Sequence, residues 1–166
     1  MACTAPASVC SDPVAGGVAL ISDGRPAALI VDAADYLGVV RAARDLRGDL
    51  STVAGAPAEV RVTRGTGPAA SAERVPSGSE RGSRGARPPI LIGTLGHSPL
   101  IDQLVRLGKL NVGRVQGRWE AYVRQIVVAP MPGVPRALVL AGADKRGTIF
   151  AIYDLSRQIG VSPWVW

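Results

Sequence analysis

The spacing of apolar and polar positions divides the chain into short units. In GGVALISDGRPAALIVDAA, two apolar runs, Val18 to Ile21 and Ala27 to Val31, flank Asp23 and Gly24. That dipeptide accepts the positive φ of a tight turn, so the two runs read as a hairpin. Beyond it, Val39, Val40, Ala43, Leu46, Leu50 and Val53 recur every three or four residues with charged residues between them. This period predicts an amphipathic helix, capped by Asp35 and stopped by Gly55.

The stretch RGTGPAASAERVPSGSERGSRGARPP, residues 64–89, almost lacks large apolar side chains. It cannot bury enough surface to offset the entropy of ordering it and reads as a mobile insertion. ILIGTLG then reads as a buried strand entering a glycine turn. SPLIDQLVRLG begins a helix with Ser98 as cap, Pro99 in the first turn and Gly108 at the end. Trp119 to Val128 is a long strand, joined by APMPGVPR to a second strand, Ala137 to Ala141, and the two are expected to pair antiparallel. A GADKRG turn leads into a helix over Thr148 to Ile159, whose Ile149, Ile152, Tyr153, Leu155 and Ile159 form a broad apolar stripe ended by Gly160. The pattern predicts an α/β (α+β) domain: a mixed β-sheet with helices packed mainly on one face.

At 166 residues the chain suits one domain with a sizeable core. Its 47% hydrophobic content is that of a folded protein, and no apolar run approaches the roughly 20 residues of a membrane helix, so no membrane partner is expected. The net charge of +6 raises nucleic acid or an anionic polysaccharide as partner. Half of that excess lies between Arg64 and Arg87, where Arg64, Arg74, Arg81, Arg84 and Arg87 face only Glu73 and Glu80. No aromatic residue that could stack on bases is interleaved there, so the charge reads as solvated surface and no nucleic-acid partner is expected. Cys3 and Cys10 lack metal-site spacing. The N-terminus has no charged start followed by a long apolar segment, which leaves localisation open.

Chemistry-bearing motifs are sparse. In GADKRGT, Gly142, Gly147 and Thr148 imitate a phosphate loop, but the lysine that should follow the second glycine is missing; Lys145 stands inside the turn instead. A structural turn fixed by Asp144 or Arg146 is the plainer reading. His97 is the sole histidine and reads as a loop residue ahead of a helix. Asp102, Glu120, Asp144 and Asp154 are each explicable as cap, strand edge or helix surface. No catalytic constellation, metal site or cofactor site is evident.

Trp164 and Trp166 are anomalous, because a chain end is normally polar. Burying one indole removes roughly 150–250 Å² from water, an upper bound of about 4–6 kcal/mol. They are expected to be covered by protein that follows them.

The segments GTLGHSPLIDQLVRLGKL, GRWEAYVRQIV and PGVPRALVLAGADKRGTIFAIYDLSRQIGVSPWVW resemble the N-terminal domain of glycoside hydrolase family 115, the xylan α-1,2-glucuronidases. The resemblance runs from Val18 to Trp166 and is most specific from Ile90 onward. More loosely, the strand, DKRG turn and helix resemble domain 2 of hexosaminidase-like enzymes. It implies a disordered stretch over 1–17, an accessory α/β domain over 18–163 and the start of a catalytic (β/α)₈ barrel at 164–166, with no barrel within the chain. It implies a non-catalytic domain of an enzyme that removes glucuronic acid side chains from xylan, with the barrel as partner. Lys145, Arg146, Trp164 and Trp166 would then lie near the sugar pocket at the domain junction. A stand-alone carbohydrate-binding or interaction module, and phosphate or nucleic-acid binding through Arg64 to Arg87, are the rival readings.

Overall fold

The structure, a computed structural model, describes residues 9–12, 14–64 and 87–161. Most of the expected insertion and the tail bearing Trp164 and Trp166 lie outside the described residues. Asp23 and Gly24 both adopt positive φ, 51° and 66°, and close a small hairpin of β1 (Ile21–Ser22) and β2 (Arg25–Pro26). The second apolar run does not stay in this hairpin. After Ala27 donates its N–H to the Leu20 carbonyl at 2.7 Å, the chain enters β3 (Leu29–Asp32) in a different sheet. All four residues of β3 are buried, as befits an inner parallel strand covered on both faces.

Helix α1 (Leu37–Ala54) follows and ends at Gly55 in the left-handed region, φ 66°, where glycine carries no Cβ penalty. It leads to β4 (Val60–Thr63), a strand whose VRVT sequence is too short and too polar to stand out by periodicity. Then come β5 (Ile90–Thr94), α2 (Pro99–Arg106), β6 (Tyr122–Met131), β7 (Val134–Gly142) and α3 (Lys145–Gln158). The sheet order is β4-β3-β5-β7-β6. Neighbours from β4 to β7 run parallel, and β6 pairs antiparallel with β7. This is the expected mixed sheet, and no closed barrel is present among the described residues.

Alternation along the strands sorts the core into two layers. Leu29, Val31, Ile90, Ile92, Leu138 and Leu140 face α1 and α3, meeting Leu46, Leu50, Ile152 and Leu155. Ile30, Leu91, Val139 and Ala141 face the other way, toward Leu100, Ile101 and Leu104 of α2 and toward Leu110, Val112 and Val115 of the loop after it. Two of the three helices thus share one face, and the shorter α2 with its loop covers the other.

Three boundaries differ from the pattern-based expectation. Strand β6 starts at Tyr122, because Glu120 takes positive φ, 56°, and turns the chain at the point where the strand was expected to be under way. The connection APMPGVPR is mostly strand: Met131 pairs with Val134 after a bulge beyond Val128, leaving Pro132 and Gly133 as the turn. Helix α3 begins at Lys145, three residues before Thr148, because the Asp144 side chain accepts the Gly147 N–H at 2.7 Å and caps it.

Candidate functional site

The carboxyl ends of the parallel strands collect the polar chemistry of the molecule. β3 and β5 are adjacent, yet the chain leaves β3 for α1 on one face and β5 for α2 on the other. A sheet that reverses its winding in this way leaves a crevice between the two outgoing loops. Across it, the Tyr36 hydroxyl and His97 Nε2 lie 2.5 Å apart, with ring centroids separated by 4.1 Å. Beneath them, Asp35 is 4% exposed and accepts the Thr94 N–H at 2.7 Å through one oxygen and the Tyr36 N–H at 2.7 Å through the other. Asp35 therefore laces two loops together and does not cap α1, whose cap position is Tyr36 without a side-chain cap. Ser98 stands at the cap position of α2 but makes no cap bond either. Its hydroxyl is buried without a partner, pressed against Gly93, where an added Cβ would lie 2.4 Å from Ser98 Oγ.

The turn after β7 is built around close approach. A Cβ on Gly142 would lie 2.1 Å from the Thr148 nitrogen, and one on Gly147 would lie 2.3 Å from the Ala121 carbonyl oxygen. Thr148 exchanges a hydrogen bond with Thr94 at 2.8 Å, both hydroxyls buried. Asp144 Oδ2 accepts the Glu120 N–H at 2.8 Å. The N–H groups of Gly147 and Glu120 hold the Asp144 carboxyl below the usual aspartate range. The Gly147 and Thr148 N–H groups, which a phosphate would use, are taken by Asp144, and the Gly142–Thr148 segment is a structural turn.

Lys145 and Arg146 occupy the first two positions of α3, against the usual preference for acidic residues there. They diverge. Lys145 reaches over the Tyr36 ring, with Nζ 5.9 Å from its centroid. Arg146 pairs with Glu120 at 3.0 Å and lies over the Phe150 ring, 5.9 Å from its centroid. Glu120 also accepts the Trp119 indole N–H at 3.1 Å, although that side chain is 79% exposed. Of the four residues expected at a sugar site, Lys145 and Arg146 are adjacent on α3 but reach different neighbours; Trp164 and Trp166 lie outside the described residues. Glu120, read from the sequence as a strand edge, meets Arg146, while Trp119 and Tyr36, which the sequence did not single out, lie beside Glu120 and Lys145.

A second polar cluster sits against α3 on the sheet face. Asp154 accepts from Arg124, Arg157 and Gln158 at 3.3, 2.9 and 2.8 Å. Burial pushes its carboxyl up, but hydrogen bonds from Arg157 and Tyr122 and the charge of Arg124 outweigh this and hold it below the usual range. Burial, and then the neighbouring Asp154 charge, raise the Tyr122 hydroxyl. Among the described residues no group of three or more His, Cys, Asp or Glu side chains could hold a metal ion, and no helix is long and apolar enough to cross a membrane.

No protein-family model and no curated protein matches the sequence. Among solved structures, the chain is similar to a family GH115 4-O-methyl-α-glucuronidase, BtGH115A, described as having specificity for decorated arabinogalactans. The match has 26% identity and a TM-score of 0.59 and covers 86% of this chain. The likeness to glycoside hydrolase family 115 is thus met in three dimensions, and the chain is related to a domain of a glycoside hydrolase. It spans 14% of that protein's length.

Proposed function

We propose that this chain is the N-terminal, non-catalytic accessory domain of an α-glucuronidase-like glycoside hydrolase acting on glucuronoxylan. The observation that carries this reading is the match of 86% of the chain to a small part, 14%, of a much larger glucuronidase. Glycosidases act through two carboxylates placed across the scissile bond, and the described carboxylates around the turn after β7 and the β3–β5 crevice are engaged otherwise. Here Asp144 is committed to a helix cap and Glu120 to Arg146 and Trp119, while Asp35 is buried in loop bracing. The acid and base would come from a barrel outside these residues.

In the complete enzyme, Lys145 and Arg146, with Trp164 and Trp166 of the tail, would stand at the junction with the barrel and frame the pocket. Two cations at the positive end of α3 gain from an anionic neighbour, such as a uronic acid carboxylate. The purified chain is expected to release no glucuronic acid from glucuronoxylan. Release at an enzymatic rate, followed by chromatography of the soluble sugars, would overturn the reading.

A further inference from the structure

Outside the loops that the turn chemistry explains, the largest exposed aromatic side chain among the described residues is Trp119, 79% exposed. Its indole is not loose, since Nε1 donates to Glu120 Oε1 at 3.1 Å and Glu120 is itself held by Arg146 at 3.0 Å. The result is a flat apolar face, oriented by a hydrogen bond at its edge and left open to solvent. Arg146 is more than half exposed and uses one nitrogen on Glu120, so further guanidinium N–H donors remain. Phe150, 42% exposed, extends the apolar surface beside Arg146.

We infer that Trp119, with Arg146 joined to its edge through Glu120, is a contact surface for an acidic saccharide: a sugar ring stacked on the indole with its uronate carboxylate held by the Arg146 guanidinium. An indole face offers a large rigid surface to the C–H edge of a pyranose, and a guanidinium matches a carboxylate with two parallel donors. Neutral xylan would use only the stacking half of the surface, and a featureless polyanion only the charged half. Requirement for both sets this surface apart from the 64–87 stretch, whose sequence holds five arginines and no aromatic residue. The choice of uronate rests on the glucuronidase-related reading above; the surface itself rests on the exposed indole and on Arg146 beside it.

The test is affinity electrophoresis of the 166-residue chain through gels containing glucuronoxylan, the same polymer after reduction of its carboxyl groups, or heparin. Glucuronoxylan is expected to retard the chain more than the reduced polymer. Trp119→Ala is expected to weaken retardation at least about tenfold, as loss of an aromatic anchor does, and Arg146→Gln to remove the preference for the acidic polymer. Urea midpoints equal to the parent's show that the variants are folded; Trp119→Phe, which keeps a ring, serves if Trp119→Ala is not. Retardation unchanged in Trp119→Ala and equal in heparin overturns the inference and assigns binding to bulk charge. No retardation of the parent chain also overturns it, while the accessory-domain reading, which requires only that the isolated chain be inactive, stands.

Discussion

Asp35 and Thr94 are 59 residues apart in the chain, and the carboxylate of one accepts the backbone N–H of the other at 2.7 Å. The bond closes the crevice between β3 and β5 from beneath and sets the loops that carry Tyr36 and His97. Replacing Asp35 with Ala leaves a buried N–H unpaired and is expected to cost about 1–3 kcal/mol. Asp35→Asn, which keeps one acceptor, should cost less. Urea unfolding of the two variants checks the order; equal losses would show that the acceptor at this position is immaterial.

The glycines around α3 should divide sharply from one elsewhere. Gly142→Ala and Gly147→Ala each force a Cβ onto backbone atoms at 2.1 and 2.3 Å, and the strain is expected to cost about 1–3 kcal/mol or more. Gly48 lies within α1 with nothing inside 4 Å of an added Cβ. Gly48→Ala should therefore stabilise the chain by about 0.5–1 kcal/mol through lower unfolded-state entropy and better helix propensity. Thermal midpoints moving in the same direction for all three would contradict this packing.

The cap of α3 predicts a pH dependence. The Asp144 carboxyl is held below its ordinary value of 3.8 by N–H groups that exist in this geometry only in the folded chain. A depressed folded value means that the ionised cap contributes fully above the ordinary value and loses its contribution as pH falls through the folded one. Asp144→Ala should thus cost about 0.5–2 kcal/mol near neutrality, and the gap to the parent should narrow below pH 3.8. Denaturant titrations at neutral and acidic pH measure this; a gap independent of pH would remove the ionised cap from the account.

Burial decides which ion pair matters. Arg124 and Asp154 are 14% and 17% exposed, whereas Arg61 and Glu59 are 52% and 58% exposed. Asp154→Ala strands a largely buried guanidinium whose Nε already lacks a partner, and a loss of about 3 kcal/mol is expected. Glu59→Ala should cost under about 1 kcal/mol, despite its shorter bond, because water screens the pair. The comparison is made in low salt, and added salt should shrink only the second effect.

The sequence and the tertiary structure contributed different things to the candidate site. Gly55, the Asp23-Gly24 turn and the Ser98-Pro99 entry to α2 lie where the pattern placed them, because each depends on φ preferences and side-chain period within a few residues. Lys145 and Arg146 enter the candidate site only through the family resemblance, which sets their turn at a domain junction. Their separation into two neighbourhoods, one over Tyr36 and one over Phe150 and Glu120, was not legible, since each partner arrives from a distant strand end.

By itself the sequence determined local conformation: helix stops, tight turns, the short apolar runs that become the buried strands β3 and β5, and the apolar stripe of α3. Tertiary structure alone decided that Leu29–Asp32 leaves the hairpin for a parallel sheet, that Asp35 serves Thr94 and not its own helix, and that Trp119 stands exposed beside Arg146. Local rules follow from sterics and hydrogen bonds between near neighbours, which the sequence states directly. The others depend on which strand edge and which backbone N–H come within reach after the chain has folded, and no spacing along the sequence encodes that distance.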